Sequence, residues 1–240
     1  MTYCEECGAE ISDDSIYCSE CGTRVGSNDG VTDILQWSWR TFTDEASTLV
    51  PPYAVLAVLN LVYFLGVAGS MYTPQRDGFD PNFAILLFIF SIIMGVIGAV
   101  VNTVGFKVAS NRLHDRKEDL GSMVRYGIRK LPSLIGAGIL SFLIFVAGLI
   151  ALVIPGLYLG MRLSLTPSSI IIEDKGAVEG MKDSWETAHG NLWTILGVML
   201  VYGTIHGIVQ YIPIVGPFAA VLLVLPQLAL ALGYIYVRRS

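Results

Sequence analysis

Phe83-Ala-Ile-Leu-Leu-Phe-Ile-Phe-Ser-Ile-Ile-Met-Gly-Val-Ile-Gly-Ala-Val-Val101 is a run of nineteen residues without a charge. A helix rises 1.5 Å per residue, so about 20 apolar residues cross a hydrocarbon core of roughly 30 Å. Runs of this kind recur along the chain, at 51–72, 83–109, 133–154, 156–172, 192–212 and 214–237. Six candidate spans follow, five of full length and the fourth, 156–172, short. Pro155-Gly156 and Pro213 with Gly216-Pro217 mark the points where one helix gives way to the next. Of the 240 residues 53% are hydrophobic and only 15% charged, against about a quarter charged in soluble domains. That composition excludes a soluble enzyme. The expected fold is an all-α polytopic membrane bundle.

Charge divides the chain. Residues 1–48 hold ten acids and two bases, whereas residues 49–240 hold ten acids and thirteen bases. Between the second and third spans stand seven bases, Lys107, Arg112, Arg116, Lys117, Arg125, Arg129 and Lys130, while the loop at 73–82 has only Arg76. Positive loops stay inside, so this loop is expected in the cytosol. Six crossings then leave both termini, the loop at 173–191 and Arg238-Arg239 on the cytosolic side. No basic, apolar leader is read after Met1, which agrees with a cytosolic amino terminus.

All four cysteines fall in the first 21 residues, as Cys4-Glu-Glu-Cys7-Gly8 and Cys18-Ser-Glu-Cys21-Gly22. Two Cys-x2-Cys turns present four thiolates in the number and spacing a tetrahedral zinc ion takes, and a glycine after each pair lets the backbone turn toward sulfur. A cytosolic setting argues against disulfides, and so short a segment needs a metal to hold its fold. Zn2+ is the expected structural cofactor, bound by Cys4, Cys7, Cys18 and Cys21, with iron the alternative for the same sulfur donors. Tyr3-Cys-Glu-Glu-Cys-Gly and Ile16-Tyr-Cys-Ser-Glu-Cys-Gly resemble the short zinc-ribbon family. Its β-hairpin would occupy residues 1–27.

The ribbon carries Glu5, Glu6, Glu10, Asp13, Asp14 and Glu20 against Arg24 alone, which repels nucleic acid. A closed four-thiolate site leaves no position for a substrate water. The expected partners are therefore a protein at the ribbon and the lipid bilayer around the helices. Residues 28–48 read as a linker followed by an interfacial helix with Ile34, Leu35, Trp39 and Phe42 on its apolar face. The membrane domain would occupy 49–240.

A weak internal repeat relates Ser38-Trp39-Arg40-Thr41 to Ser184-Trp185-Glu186-Thr187 at a constant offset of 146 residues, and Gly121 to Leu131 holds the corresponding place before the middle pair of spans. Three units, each an interfacial helix followed by a helical hairpin, are the simplest architecture. Arg162 falls inside the fourth run, where an unpaired charge costs about 3 kcal/mol on insertion scales. Its segment is expected to be broken or re-entrant. Tyr202, His206 and Gln210 recur every four residues and form one polar stripe, read as interhelical hydrogen bonding or, with Arg162, as a substrate path. Gly156-x3-Gly160 and Gly203-x3-Gly207 are expected packing surfaces. No nucleophile elbow, phosphate-binding loop or zinc-protease helix is present, so a non-enzymatic protein is expected.

Ile154-Pro-Gly-Leu-Tyr-Leu-Gly-Met-Arg162, together with Ser184-Trp185 and Gly190-Asn191, resembles the membrane domain attached to some glycerophosphoryl diester phosphodiesterases and related prokaryotic multi-pass families. The resemblance implies architecture rather than activity, because the hydrolytic chemistry of those enzymes lies in a separate soluble domain.

Overall fold

The structure, a computed structural model, describes residues 2–3, 7–11, 20–21, 30–72, 81–213 and 215–239. In the ribbon region β1 (Thr2–Tyr3) pairs antiparallel with β2 (Glu10–Ile11), Thr2 opposite Ile11 and Tyr3 opposite Glu10. This hairpin brackets Cys7 and Gly8, and Gly8 adopts φ +70°, the left-handed turn that its position after a cysteine pair requires.

Helix α1 (Val31–Asp44) starts where the Asp33 carboxylate accepts the Gly30 N–H at 2.9 Å. Its buried face is Ile34, Ser38, Thr41 and Phe42, spaced one and two turns apart. Trp39, expected on that face, is 54% exposed. The small hydroxyl residues let α1 approach its neighbours closely, and the indole is left to the outer surface, the depth that suits an amphipathic ring.

Helices α2 (Ala46–Tyr72), α3 (Pro81–Leu113) and α4 (Leu120–Ala151) follow. The Asp119 carboxylate caps α4 by accepting the Ser122 N–H at 2.9 Å. The interfacial segment and third span, expected as separate elements, form one helix that continues through Pro132. At 33 residues, or about 50 Å, α3 outruns the hydrocarbon core and carries Lys107 and Arg112 beyond it.

The stretch expected as the fourth span is divided into α5 (Val153–Leu163) and α6 (Thr166–Ile172), neither of which crosses a bilayer alone. Pro167 is the cause, since it lacks the N–H that would bond the Leu163 carbonyl and continue the ladder. Helices α7 (Ala177–Thr187), α8 (Leu192–Gln210), α9 (Val215–Ala219) and α10 (Leu225–Arg239) complete the chain, with a π-helical turn at Ala220–Val224 joining the last two. Among the described residues five segments are long and apolar enough to span a membrane: Ala46–Val67, Asn82–Leu113, Leu120–Ile150, Leu192–Gln210 and Val215–Arg239.

The last of these is the axis of the bundle. Two thirds of its apolar stretch (67%) is buried, against 6–17% in the others, whose apolar residues face outward as lipid-facing helices do. Ala229 lies against Gly105, and Gly233 against Ala109, so α10 runs alongside α3 at close range.

On the three-unit reading, α1 and α7 pack on other units, and the opening of α4 packs on both the first unit and its own. Helix α1 packs on α8 and α10 of the third unit, where Val31 meets Gly197 and Trp37 stacks at 4.6 Å on Tyr234. The opening turns of α4 pack on the first unit: Met123 joins Leu49, Tyr53, Val104 and Val108 in one core, and Gly127 meets Thr103. Helix α7 packs on α5 and α6 of the second unit, with Gly180 against Ile170. The matched tetrapeptides keep the same burial, with Ser38 and Ser184 at 0% exposure, Thr41 and Thr187 buried, and Trp39 and Trp185 open.

Candidate functional site

The polar chemistry inside the bundle gathers where α7 closes against the break between α5 and α6. Helix α5 ends at Leu163, so the Arg162 carbonyl has no helical partner; the Ser184 hydroxyl donates to it at 2.8 Å. One turn apart on α5, Tyr158 and Arg162 share a face. Arg162 is 5% exposed. Its Nε and Nη2 donate to the Tyr158 hydroxyl at 3.0 and 2.6 Å, and its Nη1 donates to the Trp185 carbonyl at 2.7 Å. Nη2 also donates to His189 Nδ1 at 2.9 Å. A guanidinium cannot accept, so Nδ1 is the unprotonated nitrogen of that imidazole.

Aromatic faces close the site. The guanidinium carbon lies 5.1 Å from the Tyr158 ring and 4.9 Å from the Trp185 ring, and the two rings meet edge to face. Among the described residues no carboxylate pairs with Arg162. Glu173 and Asp174 lie elsewhere, with Glu173 bound to Lys175 and Asp174 to Lys130. The charge is thus solvated by one carbonyl, one phenol, one imidazole and two π faces, which together replace water.

A second polar node lies on the same helix. Asp183 accepts from Ser169 at 2.6 Å and from Tyr236 at 2.5 Å, and pairs with Lys175 at 2.8 Å. Burial works to raise its carboxyl, but the hydrogen bonds from Lys175, Ser169 and Tyr236 outweigh it and hold the group below the ordinary carboxylate range. Asp183 thereby ties α7 to α6 and α10.

The expected polar stripe on α8 divides. Tyr202 is buried, its hydroxyl 2.5 Å from Ser38 Oγ and donating to Gln227 Oε1 at 3.4 Å, which joins α1, α8 and α10. His206 is half-buried and Gln210 exposed. Among the described residues no hydrogen bond connects these three with Arg162. Periodicity showed a shared face but not what that face meets. The sequence reading did not name Trp185 or His189 as partners of Arg162, because they reach it from 23 and 27 residues away; the repeat and the resemblance that quoted Ser184-Trp185 with Arg162 were the available signals.

Of the two glycine pairs, only the first packs. A Cβ at Gly156 would lie 2.6 Å from Leu149 Cδ2 and 2.8 Å from the Leu149 backbone nitrogen, whereas Gly203 and Gly207 have no atom within 4 Å of theirs. Of the expected zinc ligands, Cys7 and Cys21 are described and exposed, and Cys4 and Cys18 lie outside the described residues. A hairpin around Cys7 with a left-handed Gly8 suits a zinc knuckle.

These features define a multi-pass membrane protein that carries a zinc ribbon. The chain matches the zinc-ribbon domain over residues 3–25 and a domain of unknown function, DUF7847, over residues 81–237. It belongs to the DUF7847 family. It is also similar to a UPF0259 membrane protein of Photorhabdus laumondii, 26% identical over 145 residues, which cover 60% of this chain and 55% of that protein. The chain thus spans little more than half the length of that curated relative. No solved structure matches it. These matches lead to families without an assigned activity, and the likeness to the phosphodiesterase-linked membrane domain is not among them.

Proposed function

We propose that this is a non-enzymatic membrane protein that presents a structural zinc ribbon, held by Cys4, Cys7, Cys18 and Cys21, to a protein partner in the cytosol. The observation that carries this reading is the state of the intramembrane polar groups. Arg162 and Tyr202 are buried and bonded within the bundle, so they hold helices together. Glu10 and Glu20 of the acidic ribbon are, by contrast, exposed. Removing residues 1–27 is expected to leave the bundle inserted and monodisperse while co-purifying proteins are lost; an unchanged set of co-purifying proteins would refute the adaptor role.

The same reading places six crossings in the membrane, with α5 and α6 together making the fourth. The hydrogen bond from Tyr126 to Asp174, 2.5 Å, and the Lys130–Asp174 pair, 2.9 Å, support it, because they bring the end of α6 back to the opening turns of α4. Reporters fused at Glu118 and at Asp174 should report the same side, and one at Gly78 the other side. Opposite signals from Glu118 and Asp174 would leave five crossings.

A lipid-handling role is the second reading. An apolar cleft of about 470 Å³ between α4, α5 and α7, lined by Leu140, Ile144, Leu163, Met181 and Trp185 with Lys182 at its rim, favours it. A path through Arg162 and the Tyr202, His206 and Gln210 stripe is disfavoured, since the two sets bond to different helices.

A further inference from the structure

His114 and His189 use Nδ1 in opposite ways. His114 Nδ1 lies 2.9 Å from the Ser110 carbonyl, an acceptor, so this nitrogen carries a hydrogen and its bond persists when the ring gains a second proton. His189 Nδ1 lies 2.9 Å from Arg162 Nη2, a donor, so this nitrogen is bare. A proton added there removes the acceptor and sets two cations against each other. His189 is exposed, so the proton can arrive from solvent. Arg162 is buried and fastened to the Tyr158 hydroxyl and the Trp185 carbonyl, so the guanidinium cannot withdraw. It is the end of α7 that must give way.

The charged groups of the surrounding elements do not cancel that repulsion. Helix α5 brings Arg162 itself, with the Tyr158 phenol bonded to it. On α7, Lys182 and Glu186 are exposed, and Asp183 is taken up by Ser169, Tyr236 and Lys175. Helix α8 contains no Asp, Glu, Lys or Arg. Helix α10 adds a further cation, Arg239, which donates to Asn191 and Thr194 just beyond His189. Lys130 of α4 is engaged by Asp174. Among the described residues no carboxylate forms an ion pair with His189 or Arg162, so nothing there would hold both rings charged and in contact. Trp185 stacks on Arg162 and also lines the apolar cleft, so the contact secures one wall of that cleft.

We propose that His189 is an acid-sensitive latch: unprotonated, it fastens the end of α7 to Arg162 on α5, and on protonation it releases that end. The latch is closed at neutral pH and is lost as the pH falls through the range in which imidazoles titrate. Asp183, the other titratable anchor of α7, is held below the ordinary carboxylate range and keeps its charge in that window. Full-length protein in detergent is digested with a glutamate-specific protease, and cleavage after Glu179 and Glu186, both exposed, is followed at about pH 7.5 and about pH 5.5. Each rate is divided by that of His189→Asn at the same pH, which cancels the pH dependence of the protease and of the ribbon. Asparagine keeps an acceptor near the place of Nδ1 but does not titrate. The wild-type ratio should rise about tenfold on acidification, the factor that corresponds to one hydrogen bond. His189→Lys, charged at both pH values and without an acceptor, should show the raised ratio at both. The site is exposed, so these substitutions leave the packing intact. A wild-type ratio that does not rise overturns the proposal. So does a lysine variant that is protected like the wild type at neutral pH.

Discussion

Arg162→Leu is expected to lower the unfolding free energy in detergent by about 2–3 kcal/mol and to open the 173–191 segment to protease. Two effects oppose each other. The substitution removes a buried cation that has no carboxylate, which relieves desolvation; it also leaves the Trp185 carbonyl and the Tyr158 hydroxyl without their donor and deletes two cation–π contacts of about 1 kcal/mol each. The second effect wins, because a hydrogen bond from a charged donor contributes about 1.5–3 kcal/mol and Arg162 makes several. Arg162→Lys should be nearly as damaging. An ammonium keeps the charge but cannot reach one phenol, one carbonyl and one imidazole from a single planar fork. If lysine restored wild-type melting, charge rather than geometry would be the cause, and the account of the site given above would fail.

Gly156→Ala should be comparably severe, at about 2–3 kcal/mol, although it adds one carbon atom. That atom would lie 2.8 Å from the backbone nitrogen of Leu149, which cannot rotate away, while the reciprocal contact at Gly148 already brings the Gly156 Cα within 2.9 Å of where a Cβ would stand. The α4–α5 hairpin would have to separate. Gly203→Ala provides the comparison: nothing lies within 4 Å, and removing a mid-helix glycine should leave stability unchanged or raise it by less than about 1 kcal/mol. Thermal melts of the two variants in the same detergent compare them directly. Equal melting would mean that the hairpin is not closed at Gly156.

Much of this molecule was legible from its residues alone. Uncharged runs of bilayer length are a bulk property of the sequence, so the long helices were found close to their positions, and the two Cys-x2-Cys turns announced the ribbon. Properties set by distant partners were not legible. Pro167 marked a break, but not that Ser184 would satisfy the carbonyl left behind. The interval of four between Tyr202 and His206 fixed a face, but only the fold shows Tyr202 turned toward Ser38 and Gln227. The glycine pairs at 156/160 and 203/207 are identical as patterns and opposite in environment, since pattern carries no information about what stands across the gap. The Ser-Trp-x-Thr repeat was the most informative weak signal, because its burial recurs at both copies.

The seating of the amphipathic segments has a bearing on biogenesis. Of the three amphipathic segments, only α1 leaves the ribosome before the helices that will receive it. The opening of α4 finds the first hairpin waiting, and α7 finds the second. The buried face of α1 is therefore covered only once α8 and α10 have emerged, so the helix nearest the ribbon is the last amphipathic segment to be seated.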